Sequence, residues 1–104
     1  MVMRIIWSAY SRDQLHQIFL YLSNEVNRSF ALKYLADLKA FVNVLQLQPY
    51  MGQKEELLLS SNKTYRYIVC KNYKIIYSVD EALNVIRITN IFDCRQNPQK
   101  MKLS

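Results

Sequence analysis

The sequence predicts a single α+β domain over residues 1–104, in which an N-terminal strand and an antiparallel two-helix hairpin pack on a C-terminal antiparallel β-meander. Two segments in the first half carry apolar residues at helical spacing. Residues 65–98 are rich in β-branched and aromatic residues and contain two short polar breaks, a pattern typical of three strands. A single Gly and two Pro favour long regular elements joined by few turns. A chain of 104 residues is long enough for one modest core.

The first two predicted elements are a short strand and an amphipathic helix. Residues 4–8 form an apolar run that ends at a polar break. Ser11 and Gln14 then fit a capping box, which makes Ser11 the predicted N-cap of the helix. The polar residues 23–27 interrupt the pattern, so the first helix is expected to end there. The apolar stripe of this helix consists of Leu15, Ile18, Phe19 and Leu22.

The second helix has the most regular pattern in the chain, from about residue 28 to residue 48. Pro49 prevents its continuation, and Gly52 gives the chain freedom to turn. Because neither helix can bury its apolar stripe alone, the two helices are expected to form an antiparallel hairpin that packs on the sheet. The stripe of the second helix consists of Ala31, Tyr34, Leu35, Leu38, Phe41, Val42 and Leu45.

Two further segments have no regular pattern. Within residues 50–63, the segment 55–59 fits a helical turn, a strand or an ordered loop, and the leucines at positions 57–59 are expected to fold back onto the core. Gln96-Asn97-Pro98 is expected to end the sheet, which leaves residues 99–104 as a basic tail.

The three predicted strands of the meander cover residues 65–70, 73–79 and 85–92. Lys71-Asn72 is predicted to be a two-residue turn, since Asn tolerates a positive φ. Period-two alternation along each strand predicts that Arg66 and Lys74 share one face of the sheet, opposite the tyrosines of their strands. Their Cβ atoms are then expected to lie about 5–8 Å apart. The last strand carries apolar residues on both faces and is therefore not oriented.

The net charge of +6 is concentrated in the second part of the chain. From residue 62 onward, eight Lys and Arg stand against three Asp and Glu, whereas the first 61 residues carry a net charge of only +1. A positive field on the sheet attracts an anionic partner, either nucleic acid or an acidic protein segment. The alternative is a charge excess that only maintains solubility.

The two cysteines do not form a disulfide framework. The N-terminal residues lack the apolar stretch of a secretion signal, and no apolar run has the length of a membrane span. We therefore expect a cytoplasmic protein in which both thiols are reduced. Cys70 and Cys94 are predicted to be small buried apolar groups.

The order of these elements, with cations on the meander, resembles the RelE/ParE superfamily of toxins from bacterial type II toxin–antitoxin systems. The resemblance covers nearly the whole chain, and its specificity lies in the ordered set rather than in any single motif. The segments that carry it are Trp7 at the end of the first strand, Pro49-Tyr50-Met51-Gly52, Tyr65-Arg66, Asn72-Tyr73-Lys74-Ile75-Ile76-Tyr77, and Ile91-Phe92-Asp93-Cys94-Arg95-Gln96-Asn97-Pro98.

The resemblance implies one of two activities. RelE-like members cleave mRNA on the ribosome with basic residues and often a C-terminal tyrosine, whereas ParE-like members inhibit DNA gyrase. By position, Arg66, Lys74 and Arg95 match basic residues of the family and would be catalytic in a RelE-like endoribonuclease. Arg95 has the ParE-like spacing and no tyrosine follows it, which favours the ParE-like alternative. The single histidine, His16, lies on the first predicted helix, so the sequence offers no good general base or acid.

The resemblance also implies a cognate antitoxin encoded in the same operon, acidic in its toxin-binding part, and a role in plasmid stabilisation. The target is DNA gyrase or the ribosome with its mRNA. A third alternative is a family member that only binds its antitoxin. No cofactor, no metal and no membrane association are expected. The residues predicted to bind target or antitoxin are Arg66, Lys71, Lys74, Arg95, Tyr65 and Tyr67.

Arg66, Lys74 and Arg95 are further expected to form one basic patch at the C-terminal side of the sheet, on which toxicity depends. Repulsion between neighbouring like charges favours a receptor for an anion over a stabilising role. The alternative is that Arg66 and Lys74 each pair locally with Glu55, Glu56 or Asp93. Tyr73 and Tyr77 are expected to lie in or near the core, with their hydroxyls at its rim.

Overall fold

The structure is a computed structural model and describes residues 2–55 and 64–95. The predictions for the leucines at positions 57–59 and for residues 96–104 lie outside the described residues. The elements are β1 (Arg4–Trp7), α1 (Ala9–Glu25), α2 (Arg28–Asn43) with a 3₁₀ turn (Val44–Gln46), β2 (Gln53–Lys54), β3 (Arg66–Cys70), β4 (Tyr73–Asp80) and β5 (Val85–Asp93).

The described strands form one sheet in the order β1-β5-β4-β3-β2. β1 pairs with β5 in parallel, whereas the other neighbours are antiparallel. The predicted architecture is therefore confirmed: an N-terminal strand joins a C-terminal meander that carries the helix hairpin. The two-residue strand β2 was not predicted, and it lengthens the sheet on the side opposite β1.

The first helix begins earlier than the capping box predicts. Its N-cap is Ser8, whose Oγ accepts the backbone N–H of Ser11 at 3.0 Å. Ser11 lies inside the first turn and is buried, and its hydroxyl donates to the carbonyl oxygens of Ser8 at 2.9 Å and Ile88 at 3.2 Å. The prediction of Ser11 as N-cap is wrong because Ser8, three residues earlier and directly after β1, offers the same hydroxyl oxygen as an acceptor.

The helix hairpin is closed by a second side-chain cap. Asn27 Oδ1 accepts the backbone N–H of Phe30 at 2.8 Å and starts α2 immediately after α1 ends. The apolar stripe predicted for α2 is confirmed as core. Ala31, Leu38, Val42 and Leu45 are buried, and Tyr34, Leu35 and Phe41 pack against the same core.

The helices cover one face of the sheet. The core between them is built by α1 residues such as Leu15 and Ile18, by the α2 stripe, and by residues of the three long strands. Tyr73 and Tyr77 belong to it with exposed fractions of 8% and 0%, as predicted. The strand residues that face the helices are Ile68, Tyr73, Ile75, Tyr77, Ile86, Ile88 and Ile91.

A β-bulge explains why the alternation of β5 cannot be read from its sequence. Ile76 pairs with Asn90, but Tyr77 pairs with Ile88, so Thr89 has no residue opposite it. The extra residue reverses the alternation. Even-numbered residues face the helices before the bulge, and odd-numbered residues face them after it.

The turn at Lys71-Asn72 is confirmed, but the predicted placement of Arg66 and Lys74 on one face of the sheet is not. Cys70 pairs with Tyr73 across the turn, Val69 with Lys74, and Arg66 with Tyr77. Directly paired residues share a face, so an even-numbered residue of β3 shares its face with odd-numbered residues of β4. Arg66 therefore lies on the face toward the helices and Lys74 on the far face, and the prediction that they share a face is wrong.

Two further details differ from expectation. The positive φ of the turn, 57°, belongs to Lys71 and not to Asn72. Cys94 is exposed and Cys70 is half-buried, so neither is a fully buried apolar group. Both thiols are free. Within residues 2–55 and 64–95, no helix has the length and apolar character needed to cross a membrane.

Replacement of Leu38 by Ala tests the helix–sheet core. Leu38 is 1% exposed, so its truncation is expected to lower the free energy of unfolding by about 2–5 kcal/mol. Leu32 lies on the same helix and is 50% exposed, so Leu32→Ala is the matched control and should change that free energy by less than about 0.5 kcal/mol. Urea denaturation of both variants decides it: equal effects at the two positions would contradict the packing of α2.

Candidate functional site

Arg66 supports the loop that follows α2. Its Nη1 donates to the carbonyl oxygen of Gly52 at 2.8 Å and lies 3.4 Å from that of Tyr50. The guanidinium also lies over the Tyr50 ring, 5.2 Å from its centroid. A guanidinium with these partners is held in place by the loop, so Arg66 has a clear structural role on the helix side of the sheet.

Tyr77 holds the same loop from below. Its hydroxyl donates to the carbonyl oxygen of Pro49 at 2.8 Å and accepts the backbone N–H of Gly52 at 3.0 Å. A Cβ atom at position 52 would lie 2.6 Å from both the Tyr77 hydroxyl and the carbonyl oxygen of Tyr67, so the close approach requires glycine there. Tyr50 in turn donates to the carboxylate of Glu81 in the β4–β5 turn. The hydrogen bond between Tyr50 and Glu81 had no signal in the sequence.

Lys74 forms an ion pair on the far face. Its Nζ lies 2.6 Å from Glu55 Oε2, and the two side chains are 20% and 3% exposed. The ammonium also lies 4.2 Å from the centroid of the Tyr67 ring, whose hydroxyl donates to Gln53 Oε1 at 2.8 Å. The local pairing of Lys74 with Glu55, considered as an alternative from the sequence, is thus the observed arrangement. Tyr65, only 9% exposed, is a core residue.

Arg95 lies where β5 ends and pairs with Asp93. Its Nε and Nη2 donate to the two carboxylate oxygens of Asp93 at 3.0 and 2.8 Å, and its backbone N–H donates to Oδ1 at 2.9 Å. These hydrogen bonds hold the pKa of Asp93 below its usual range. The pair lines a cavity of about 410 Å³ between α1 and the sheet, together with Tyr21 and Tyr73.

Lys71 projects from the β3–β4 turn toward α2. Its Nζ lies 3.7 Å from Asp37 Oδ2 and 4.7 Å from the centroid of the Tyr34 ring. Asp93 pairs with Tyr73 in the sheet, so Arg95 and Lys71 lie at the same end of the sheet. Arg66 lies at the other end of β3.

The structure therefore does not bring Arg66, Lys74 and Arg95 into one patch. Arg66 lies beside the loop at residues 49–52, Lys74 is on the opposite face, and Arg95 is at the other end of the sheet. Arg66 and Lys74 lie on opposite faces because the turn pairs even-numbered residues of β3 with odd-numbered residues of β4, and paired residues share a face. Sequence reasoning also missed Phe30 and Lys33 of α2, which lie beside Lys71; their signal was an aromatic pair, Phe30 and Tyr34, at helical i,i+4 spacing.

His16 is exposed on α1, where its ring lies 6.4 Å from that of Phe19. Among the residues described by the structure, no cluster of three or more His, Cys, Asp or Glu side chains has an arrangement that would hold a metal ion.

A family model described as the ParE toxin of the type II toxin–antitoxin system parDE matches residues 5–98. The chain belongs to this ParE toxin family. A search of curated protein sequences found no match.

A solved structure shows the same fold. It is described as the chromosomal ParDE TA system from P. aeruginosa and aligns with a TM-score of 0.74 over 88% of this chain and 96% of that chain. The sequence identity is 19%, so the similarity concerns the fold.

Replacement of Tyr77 by Phe tests how the loop at residues 49–52 is held. The variant keeps the ring in the core but removes two hydrogen bonds, which leaves the Gly52 N–H and the Pro49 carbonyl without this partner. We expect the free energy of unfolding to fall by about 1–3 kcal/mol. Tyr21→Phe, at a ring that is 55% exposed, is the control and should have an effect below about 0.5 kcal/mol. Thermal and urea denaturation measure both, and a Tyr77→Phe variant as stable as wild type would contradict the assigned bonds.

Replacement of Asp93 by Asn tests the pair with Arg95 through its pH dependence. Asn keeps an oxygen for the backbone N–H of Arg95 but loses the charge. The pKa of Asp93 is lower in the folded than in the unfolded protein, so its contribution to stability is present above the unfolded pKa and is lost as the pH falls through the folded pKa. Arg95 is 62% exposed, so the effect is expected to be small.

The measurement is urea denaturation of wild type and Asp93→Asn from pH 7 down to about pH 2.5, well below the usual carboxyl pKa of about 3.9. Wild type should be the more stable at pH 7, and the two curves should converge in acid. A difference that stays constant over this range would show that the carboxylate charge is not involved.

Proposed function

We propose that this chain inhibits bacterial growth by binding DNA gyrase, and that a cognate antitoxin neutralises it by binding the toxin. One observation carries the choice between gyrase binding and RNA cleavage. The three cations that a RelE-like nuclease would direct at one phosphate, Arg66, Lys74 and Arg95, lie in three separate places. Membership of the ParE family supports the same choice.

The chemistry of RNA cleavage explains why this dispersal matters. A nuclease of this kind needs charge stabilisation at the phosphate together with a base for the 2′-hydroxyl and an acid for the leaving oxygen. Lys74 is paired with the carboxylate of Glu55, and Arg95 with that of Asp93. Arg66 is directed at backbone carbonyls of the loop. Binding to a protein target requires none of these groups to converge.

The predicted binding residues divide according to their surroundings. Lys71 and Arg95 lie at one end of the sheet with side chains 35% and 62% exposed, so they support contact with an acidic partner. Tyr67 and Lys74 are engaged with each other and with neighbours on the far face. Tyr65 and Arg66 support the fold. We assign the antitoxin contact to the end that carries Lys71 and Arg95, and we place the protein in the cytoplasm, where both free thiols are stable.

The test compares two targets with one purified protein. Relaxed plasmid, DNA gyrase and ATP are incubated with increasing amounts of the toxin, and a cell-free translation reaction receives the same amounts. We expect supercoiling to be inhibited and translation to continue. Because a binder acts stoichiometrically, the inhibition should depend on the ratio of toxin to gyrase and not on the time of incubation.

The control is addition of the antitoxin before gyrase, which should restore supercoiling. Cleavage of mRNA with unaffected supercoiling would contradict the proposal and identify an endoribonuclease. If the protein inhibits neither supercoiling nor translation but still binds the antitoxin, the chain is one that only binds its antitoxin.

A further inference from the structure

A groove of about 520 Å³ lies between the start of α2 and the β3–β4 turn. Two aromatic side chains, Phe30 and Tyr34, line it along α2, and their ring centroids are 5.9 Å apart. Tyr34 is fixed from the other side by an edge-on contact with Tyr73 at 6.3 Å. Phe30 is 44% exposed, so the groove presents an accessible aromatic surface. The contact with Tyr73 holds the Tyr34 ring of that surface in place.

The rim of this groove is positive. Lys33 and Lys71 approach the same carboxylate, that of Asp37, at 3.5 and 3.7 Å. Two cations therefore share one anion, and the three side chains are 79%, 35% and 44% exposed for Lys33, Lys71 and Asp37. Exposed ion pairs of this kind are weak and exchange readily with solvent. A carboxylate from a partner can pair with either lysine at little cost.

The backbone at Lys71 gives a second, independent indication. Its φ is 57°, in the left-handed region that Gly and Asn adopt far more easily than a long side chain does. The turn alone would favour Asn or Gly at this position. Strain of this kind is typically retained where the side chain has a further role. Here the strained residue places an ammonium group directly over the Tyr34 ring at the groove.

We propose that this groove anchors the acidic toxin-binding segment of the antitoxin. One large apolar side chain of the segment packs against Phe30 and Tyr34, and carboxylates on either side of it pair with Lys33 and Lys71. Complementarity favours this occupant, because an aromatic floor with a net positive rim fits an acidic peptide with an apolar anchor residue. The inference rests on the proposed function only for the identity of the segment.

The experiment measures antitoxin binding by variants that change one feature of the groove each. The probe is the fluorescently labelled small acidic protein encoded by the reading frame adjacent to the toxin gene. Phe30→Ala removes the aromatic anchor surface, and Leu32→Ala, at an equally exposed aliphatic residue of α2 outside the groove, is its control. Lys33→Ala removes a rim charge, and Lys39→Ala removes an exposed charge elsewhere on α2.

Phe30→Ala is expected to weaken binding at least about ten-fold, as for an aromatic hot spot, while Leu32→Ala leaves it within about two-fold. Lys33→Ala should slow association and reduce its dependence on salt, and Lys39→Ala should not. Lys71→Asn separates binding from folding: Asn suits the left-handed turn, so the melting temperature should stay equal or rise while association slows. Equal binding by Phe30→Ala and Leu32→Ala, or absence of binding by wild type, would overturn the proposal.

Inhibition of supercoiling is measured on the same variants to keep the two proposals apart. Phe30→Ala should inhibit gyrase as wild type does but require more antitoxin for neutralisation. If wild type does not inhibit gyrase, the proposed target is wrong, and the binding measurements still decide the groove. If Phe30→Ala loses gyrase inhibition and keeps antitoxin affinity, the groove contacts the target and the assigned occupant is wrong. Stacking of nucleic acid on Phe30 would appear as binding of a labelled single-stranded oligonucleotide that Phe30→Ala abolishes, and would also overturn it.

Discussion

The register set by the Lys71-Asn72 turn is the constraint on which the surface of this protein depends. A two-residue loop fixes which residue of β3 lies opposite which residue of β4, and a shift by one would exchange the two faces. The observed register places Ile68, Ile75 and Tyr77 against the helices and leaves Lys74 on the far face. The helix stripe can be buried only in this register, so burial of the core determines where each cation is displayed.

The cations of the sheet are distributed accordingly, and each has acquired a local partner. Lys74 meets Glu55, Arg87 lies 3.6 Å from Asp80, and Arg95 meets Asp93. These pairs neutralise much of the sheet locally, although the chain as a whole remains at +6. The rim around Asp37 differs from these pairs, because two lysines share one carboxylate there. A positive field that is weakly neutralised at one place directs an acidic partner to that place more effectively than an evenly distributed excess.

The loop after α2, at the other end of the sheet, is held in place by side chains of the sheet. Tyr77 and Arg66 satisfy backbone groups of residues 49–52, and Gly52 permits the close approach. Buried or partly buried backbone groups need such partners, because an unsatisfied group costs stability. The resemblance in sequence led us to expect Arg66 in a binding or catalytic patch, yet its contacts here are those of a residue that supports a loop.

The sequence by itself determined the fold class, both helices and the three long strands, because apolar periodicity in α2 and β-branched runs in the meander depend on local spacing. It also determined the superfamily and the position of the Lys71-Asn72 turn. Only the tertiary structure decided which face of the sheet each strand residue occupies. The bulge at Thr89 reverses the alternation of β5, and Ser8 caps α1 because β1 delivers it to the helix start. The ion pairs of Lys74 with Glu55 and of Lys71 with Asp37, and the groove between α2 and the β3–β4 turn, join residues far apart in the chain. Such contacts depend on which faces the core brings together, and no local pattern carries that information.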